Sequence, residues 1–184
     1  MSLIDYYLKE KFNPVPIEIK NKKSLSKHIK LRQNLIENHL KIPLSLLKGK
    51  EILEFGPNRG ENSMLFTIYG AKLFFVEPIA KSVEELKLKY KKHKLINSVK
   101  KIEQKTLENF KSNKKFDIVI AEGFLNTLKN KNKYLKKIFN FVSAQGLVII
   151  NYDDYFGSLI ELIKSAVLKK YCKDQNIKLD SKNS

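Results

Sequence analysis

Seven glycines, at positions 49, 56, 60, 70, 123, 146 and 157, fall where a chain that alternates strands with helices needs its turns. Short apolar runs lie between them. Glu51-Ile52-Leu53-Glu54-Phe55 leads from Gly49 into Gly56, and Lys72-Leu73-Phe74-Phe75-Val76-Glu77 is stopped by Pro78. Phe116-Asp117-Ile118-Val119-Ile120-Ala121 has the composition of a strand buried on both faces and is broken by Gly123, and Gly146-Leu147-Val148-Ile149-Ile150 follows. A weaker run, Val99 to Glu103, completes five. Helical spacing fills the gaps: a helix from Gly60 through Tyr69 with Gly70 as its C-terminal cap, then Ile79, Val83, Leu86 and Tyr90, then Tyr134, Leu135, Ile138, Phe139 and Val142. Parallel neighbours need long right-handed connections, so the pattern predicts a doubly wound, mostly parallel α/β sheet.

The flanks read differently. Leu25, Ile29, Ile36 and Leu40 mark an amphipathic helix ahead of the link that begins at Pro43, which predicts a helical cap over residues 1–48 and a core over 49–152. Leu159, Ile160, Leu162, Ile163, Ala166 and Val167 predict a further helix in 153–184, followed by a polar tail. A chain of 184 residues supports one main hydrophobic core. Cys172 is the only cysteine, which rules out an intramolecular disulfide and a cysteine metal cluster. With neither a secretion signal nor a membrane-length apolar run, the expected compartment is the cytoplasm, with no membrane partner. The formal charge of +17 points toward polyanions, but the excess is nearly all lysine, spread over several segments, and arginine occurs only at Arg32 and Arg59. Solvated lysine faces are therefore preferred over a nucleic-acid track.

In a doubly wound sheet ligands bind beyond the carboxyl ends of the strands. There Gly56 and Gly60 permit a tight bend and close approach of a ligand, Glu54 ends the first strand, and Glu77 ends the second, where a carboxylate can accept from both hydroxyls of a ribose. A dinucleotide loop wants glycines at its first, third and sixth positions. Here those positions hold Gly56, Asn58 and Glu61, and Glu61 would repel a pyrophosphate.

The pattern Glu54-x-Gly56-x-x-x-Gly60, with Phe116 to Ile120 and Gln145 to Ile150, resembles the class I S-adenosylmethionine-dependent methyltransferases over roughly Lys48 to Tyr152. The stretch from Ile42 to Ser63 is also similar to a bacterial subgroup acting on small molecules or saccharides. The resemblance implies a Rossmann-like methyltransferase fold and S-adenosylmethionine as cofactor, with S-adenosylhomocysteine as product. It implies cofactor contacts from Glu54, Gly56, Pro57, Asn58, Gly60, Asn62, Glu77, Pro78 and Glu122, with Thr106 and Leu107 beside adenine. Asn58 stands where the family often has glycine, and no aspartate follows the third strand. The family also adds two strands after the fifth, and only Asn176 to Asp180 offers part of one. A missing C-terminal portion or a homodimer partner is expected to finish the sheet edge.

Methyl transfer from a sulfonium is an in-line displacement that chiefly needs alignment and exclusion of water. A hydroxyl acceptor adds a need for a general base, for which Glu122, Asp153 and Asp154 are the candidates. One of the two aspartates has an alternative role in capping the final helix. His28 and Arg32, one turn apart on the cap helix, together with Tyr152 and Tyr155, are candidates for the acceptor side. Hard oxygen ligands at Glu122 and Asp153 or Asp154 would suit magnesium, but no metal is expected. Ala121-Glu122-Gly123-Phe124 lacks the Asp/Asn-Pro-Pro-aromatic motif of amino-directed nucleic-acid enzymes, and Cys172 lies too far downstream for a cytosine-directed nucleophile. The sequence thus favours methylation of a small-molecule acceptor at oxygen, beside an RNA methyltransferase using the lysine faces and a non-catalytic cofactor-binding module.

Overall fold

The structure, a computed structural model, describes residues 19–125 and 128–151. The elements in chain order are α1 (Lys22–Gln33), β1 (Glu51–Phe55), α2 (Met64–Ile68), β2 (Lys72–Val76), α3 (Ala80–Lys92), β3 (Val99–Glu103), β4 (Phe116–Ala121), α4 (Lys131–Phe139) and β5 (Val142–Ile150). A π-helical turn (Asn34–His39) extends α1, and short 3-10 turns (Leu44–Leu47 and Ile96–Ser98) precede β1 and β3. The five strands form one parallel sheet in the order β3-β2-β1-β4-β5, which confirms the doubly wound reading. The order reverses direction between β1 and β4, and this is where such sheets open a crevice. The helix expected from Leu159, the strand fragment at Asn176 to Asp180, and Tyr152, Asp153, Asp154 and Tyr155 all lie outside the described residues.

Side-chain alternation divides the core in two. Ile52, Leu73, Phe75, Ile118 and Ile120 face one way and join Ile36, Leu44, Leu65, Leu86 and Tyr90 from the helices α1 to α3 and their links. Leu53, Phe55, Val76, Val119 and Ala121 face the other way, toward Phe110, Ile138 and Phe141. β3 carries exposed Lys100 and Lys101, charges suited to a sheet edge that must resist pairing with another chain.

Local signals set the element ends. Asn21 accepts the Ser24 N–H at 2.9 Å while the Ser24 hydroxyl accepts the Asn21 N–H at 3.0 Å, a reciprocal cap that starts α1. Gly70, at φ +85°, ends α2 as expected: its N–H donates to Thr67 and that of Ala71 to Phe66, so two terminal carbonyls are satisfied. Three expectations need correction. The helix placed from Gly60 begins only at Met64, because residues 57–63 form successive turns, including Gly60 N–H to Pro57 and Ser63 N–H to Gly60. Leu40 is 43% exposed, because the π-helical turn rotates it off the stripe that buries Ile36. Phe139 is 55% exposed and Val142 already belongs to β5, which starts four residues earlier than its apolar run and reaches register with β4 through an irregularity opposite Phe116 to Ile118.

Gly60 has a packing role. It sits at φ +73°, and a Cβ there would lie 2.8 Å from Tyr90 Cε2 and 3.1 Å from Leu86 Cγ. The absent side chain therefore faces α3, so packing against that helix is one reason for glycine at this position. Gly60→Ala combines a left-handed backbone with overpacking and should cost about 2 to 4 kcal/mol, seen in urea unfolding as a lower midpoint with an unchanged slope.

Candidate functional site

Alternation along the sheet also decides where three carboxylates go. Glu54 follows Leu53 on β1, Glu77 lies one residue beyond β2, and Glu122 lies one beyond β4. All three continue the series of Ile52, Phe75 and Ile120 on the face covered by α1 to α3. Their fields overlap: Glu54 feels the charges of Glu122, Arg32 and Glu77.

Glu54 is buried, and its Oε2 accepts the hydroxyl of Ser63. Burial pushes its carboxyl up to about 8; the Ser63 bond and Arg32 oppose the rise, and Glu122 and Glu77 add to it. Glu77 is also buried and rises to about 7 for the same reason, although each oxygen takes a backbone amide at 2.9 Å: Oε1 from Ile79 and Oε2 from Asn58. These bonds fix the carboxylate, and each oxygen keeps a second lone pair for a ligand.

The bend between them is held from several sides. The Gly56 N–H donates to Val76 at 2.9 Å, Asn58 adopts φ +51°, and its Oδ1 accepts the Ser82 hydroxyl at 3.0 Å. The Tyr90 hydroxyl donates to the Gly60 carbonyl at 3.0 Å. At Gly56 a Cβ would stand 3.1 Å from Cδ1 of Phe124, so the loop after β4 brings an aromatic wall against the bend. Pro57 is buried, and Asn62 and Pro78 are half-buried on the same loops.

Glu61 departs from expectation. It is fully buried and paired with Lys89 and with Arg59 Nε at 3.0 Å, so its charge is spent inside the protein and cannot be what repels a phosphate. Thr106 and Leu107, given an adenine-side role by the resemblance, lie in the loop after β3. The Thr106 hydroxyl accepts the Asn109 N–H at 3.2 Å within a turn, and Leu107 packs in the second core cluster near Phe55 and Val76.

The cap helix supplies the other half of the site. Arg32 reaches across ninety positions in sequence, and its Nη2 lies 3.2 and 3.0 Å from the two oxygens of Glu122. Glu122, a general-base candidate from the sequence, is thus ion-paired. His28, one turn before Arg32, is buried. Desolvation and then Arg32 hold its pKa below the ordinary value, against an opposing pull from Glu61 and Asn62. Arg32 Nε has no hydrogen-bond partner among the described residues. Sequence reasoning missed Asn151, whose Oδ1 accepts the Gly123 N–H at 2.6 Å and ties the end of β5 to the loop after β4. It also missed Ser63, although a hydroxyl three residues after Gly60 was visible. His93 is half-buried at the end of α3. No group of three metal-binding side chains converges among the described residues, and no helix there is long and apolar enough to cross a membrane.

A parallel sheet that switches direction at β1 and β4, with a positive-φ glycine bend after β1 and a fixed carboxylate beyond β2, defines the class of α/β domains that hold a nucleoside-bearing cofactor. The chain belongs to the methyltransferase domain family, whose model matches residues 27–180. Solved structures agree in fold. The PH0226 protein of Pyrococcus horikoshii OT3 is 19% identical with a TM-score of 0.60, over 90% of this chain and 69% of that one. Magnesium protoporphyrin IX methyltransferase of Synechocystis PCC 6803, solved with bound SAM, is 15% identical with a TM-score of 0.56, over 76% and 69%. Coclaurine N-methyltransferase, bound to N-methylheliamine and SAH, is 14% identical with a TM-score of 0.56, over 72% of this chain. The chain spans 38% of that enzyme's length. No curated protein matches the sequence significantly.

Two outcomes follow from the charges. Glu54 and Glu77 have folded-state pKa values of about 8 and about 7, above the ordinary 4.5, so the folded protein keeps protons that the unfolded chain has lost. The resulting stability is complete below about pH 4.5 and is lost as pH rises through 7 and 8. Ligand-free protein should therefore unfold more easily in urea at alkaline than at mildly acidic pH, and Glu54→Gln should flatten that decline by on the order of 2 to 4 kcal/mol. Arg32→Ala should cost about 3 kcal/mol by stranding Glu122, and a double-mutant cycle with Glu122→Ala should return a coupling of about 1 to 3 kcal/mol; additive effects would mean the pair does not form.

Proposed function

We propose that this chain binds S-adenosylmethionine at the β1–β2 tips and methylates a small molecule, with oxygen as the acceptor atom. When bound, the cofactor supplies a methyl group on a positively charged sulfur and leaves as S-adenosylhomocysteine. The residues present suit it. Glu77, pinned by two amides, offers one open lone pair on each oxygen to the two hydroxyls of a ribose. Glu54 is a buried carboxylate whose only direct partner among the described residues is a hydroxyl, so an ammonium group would relieve its desolvation. The observation that carries the reading is this placement of both acids on one face, either side of the Gly56 bend.

Glu122 and Arg32 act on the acceptor side. Their pairing ties the cap helix to the β4 tip, with both side chains largely shielded from solvent, and this shielding supports a small acceptor. Glu122 is the candidate to accept the proton of a hydroxyl acceptor, while Arg32 orients its carboxylate. Asp153 and Asp154 are the remaining candidates for that proton, and Tyr152 and Tyr155 for the acceptor wall.

Calorimetric titration with S-adenosylmethionine tests the reading. Glu77→Ala should weaken binding by about 2 to 4 kcal/mol, roughly 30-fold or more, because two hydroxyls lose their acceptor. Unchanged affinity would remove Glu77 from the site. Glu122→Gln should leave that affinity intact and lower turnover once an acceptor is in hand.

A further inference from the structure

On the face of the sheet opposite the three carboxylates, a groove of about 790 Å³ runs between α4 and residues 110–113. Phe110 and Phe141 line it and belong to the second core cluster, so its floor is apolar. Lys111, Lys133, Lys136 and Lys137 line it as well. Lys133 and Lys137 stand one turn apart on α4 and share a single acidic residue: Lys133 Nζ lies 3.2 Å from Glu108 Oε1, and Lys137 Nζ donates to the Glu108 carbonyl at 2.6 Å. Burial lowers the Lys137 ammonium below its ordinary pKa, and Glu108 only partly offsets this, since Lys111 and Lys133 push the same way. Four lysines thus line one groove with an apolar floor, and Glu108 is the one carboxylate paired with them among the described residues, an arrangement that concentrates positive potential in the cleft. The surrounding polar lining is mostly asparagine amide, which can donate hydrogen bonds to an oxyanion without adding negative charge.

We infer that this groove is a second binding site, for a phosphate-bearing ligand. It is independent of the cofactor reading, because it uses none of the residues of the β1, β2 and β4 tips. Lysine ammoniums recognise phosphate as point charges, and a cleft open along α4 accepts either a small phosphorylated compound or the backbone of a single strand of RNA.

The test titrates the full chain with pyrophosphate and, separately, with a short oligouridylate, comparing wild type with Lys133→Gln/Lys137→Gln and with a control of equal charge change at exposed positions, Lys23→Gln/Lys27→Gln. The groove variant should weaken binding of at least one probe by about tenfold or more, and the control should not. For the oligouridylate, the slope of log affinity against log salt should fall by about 1.4 as two phosphate contacts disappear. Loss confined to pyrophosphate assigns the site to a free phosphate group, and loss confined to the oligouridylate assigns it to RNA. Equal loss in the control, or no binding of either probe by wild type, overturns the proposal. Thermal melting of each variant separates lost binding from lost folding.

Discussion

The site rests on one electrostatic problem: three carboxylates at neighbouring strand ends share one face of a parallel sheet, with a single arginine brought to them from the cap helix. The register makes this unavoidable: Glu54 is level with Phe75 and Ile120, and Glu77 and Glu122 emerge on the same face two residues further along their strands. The protein manages the cost differently at each position. Glu77 is supported by amides of its own loop and of the adjacent bend, Glu122 by a guanidinium, and Glu54 by little more than a hydroxyl. That gradient leaves Glu54 the least compensated of the three and Glu122 the most directly paired.

The cap helix is therefore part of the charge balance at the strand tips. Arg32 belongs to an element that any reading by order along the chain would place ahead of the core, yet it reaches the β4 tip. Ile36, one turn further, joins the same hydrophobic cluster as Ile52 and Leu65, so burial on α1 sets the position of the guanidinium. The packing of one helix and the charge balance of the site are a single arrangement.

Much of the fold was legible in the sequence because strands buried on both faces are continuous apolar runs, and β1, β2 and β4 were bounded by glycine, proline or lysine that the structure uses as turns. β3 was legible despite its lysines because an edge strand is half exposed. The start of β5 was hidden by Ser143, Ala144 and Gln145, whose polar or small side chains carry no strand signal, and the start of α2 by a loop whose turns mimic a helical opening. Glu54, Gly56 and Glu77 could be found from spacing alone, since each sits at a strand end. The Arg32–Glu122 pair could not, because no local pattern links residues ninety positions apart. Glu61 was located correctly but misread in purpose, and the packing of Gly60 on α3 was not visible: an acid and a glycine in a loop say nothing of which one faces the neighbouring helix.

Helix α3 grips the loop after β1 at several points: Ser82 on Asn58, Tyr90 on the Gly60 carbonyl, and Lys89 on Glu61. A segment clamped in this way has already surrendered its conformational freedom during folding. A ligand that settles against it forfeits little affinity to ordering, so a small number of polar contacts can be enough for tight capture.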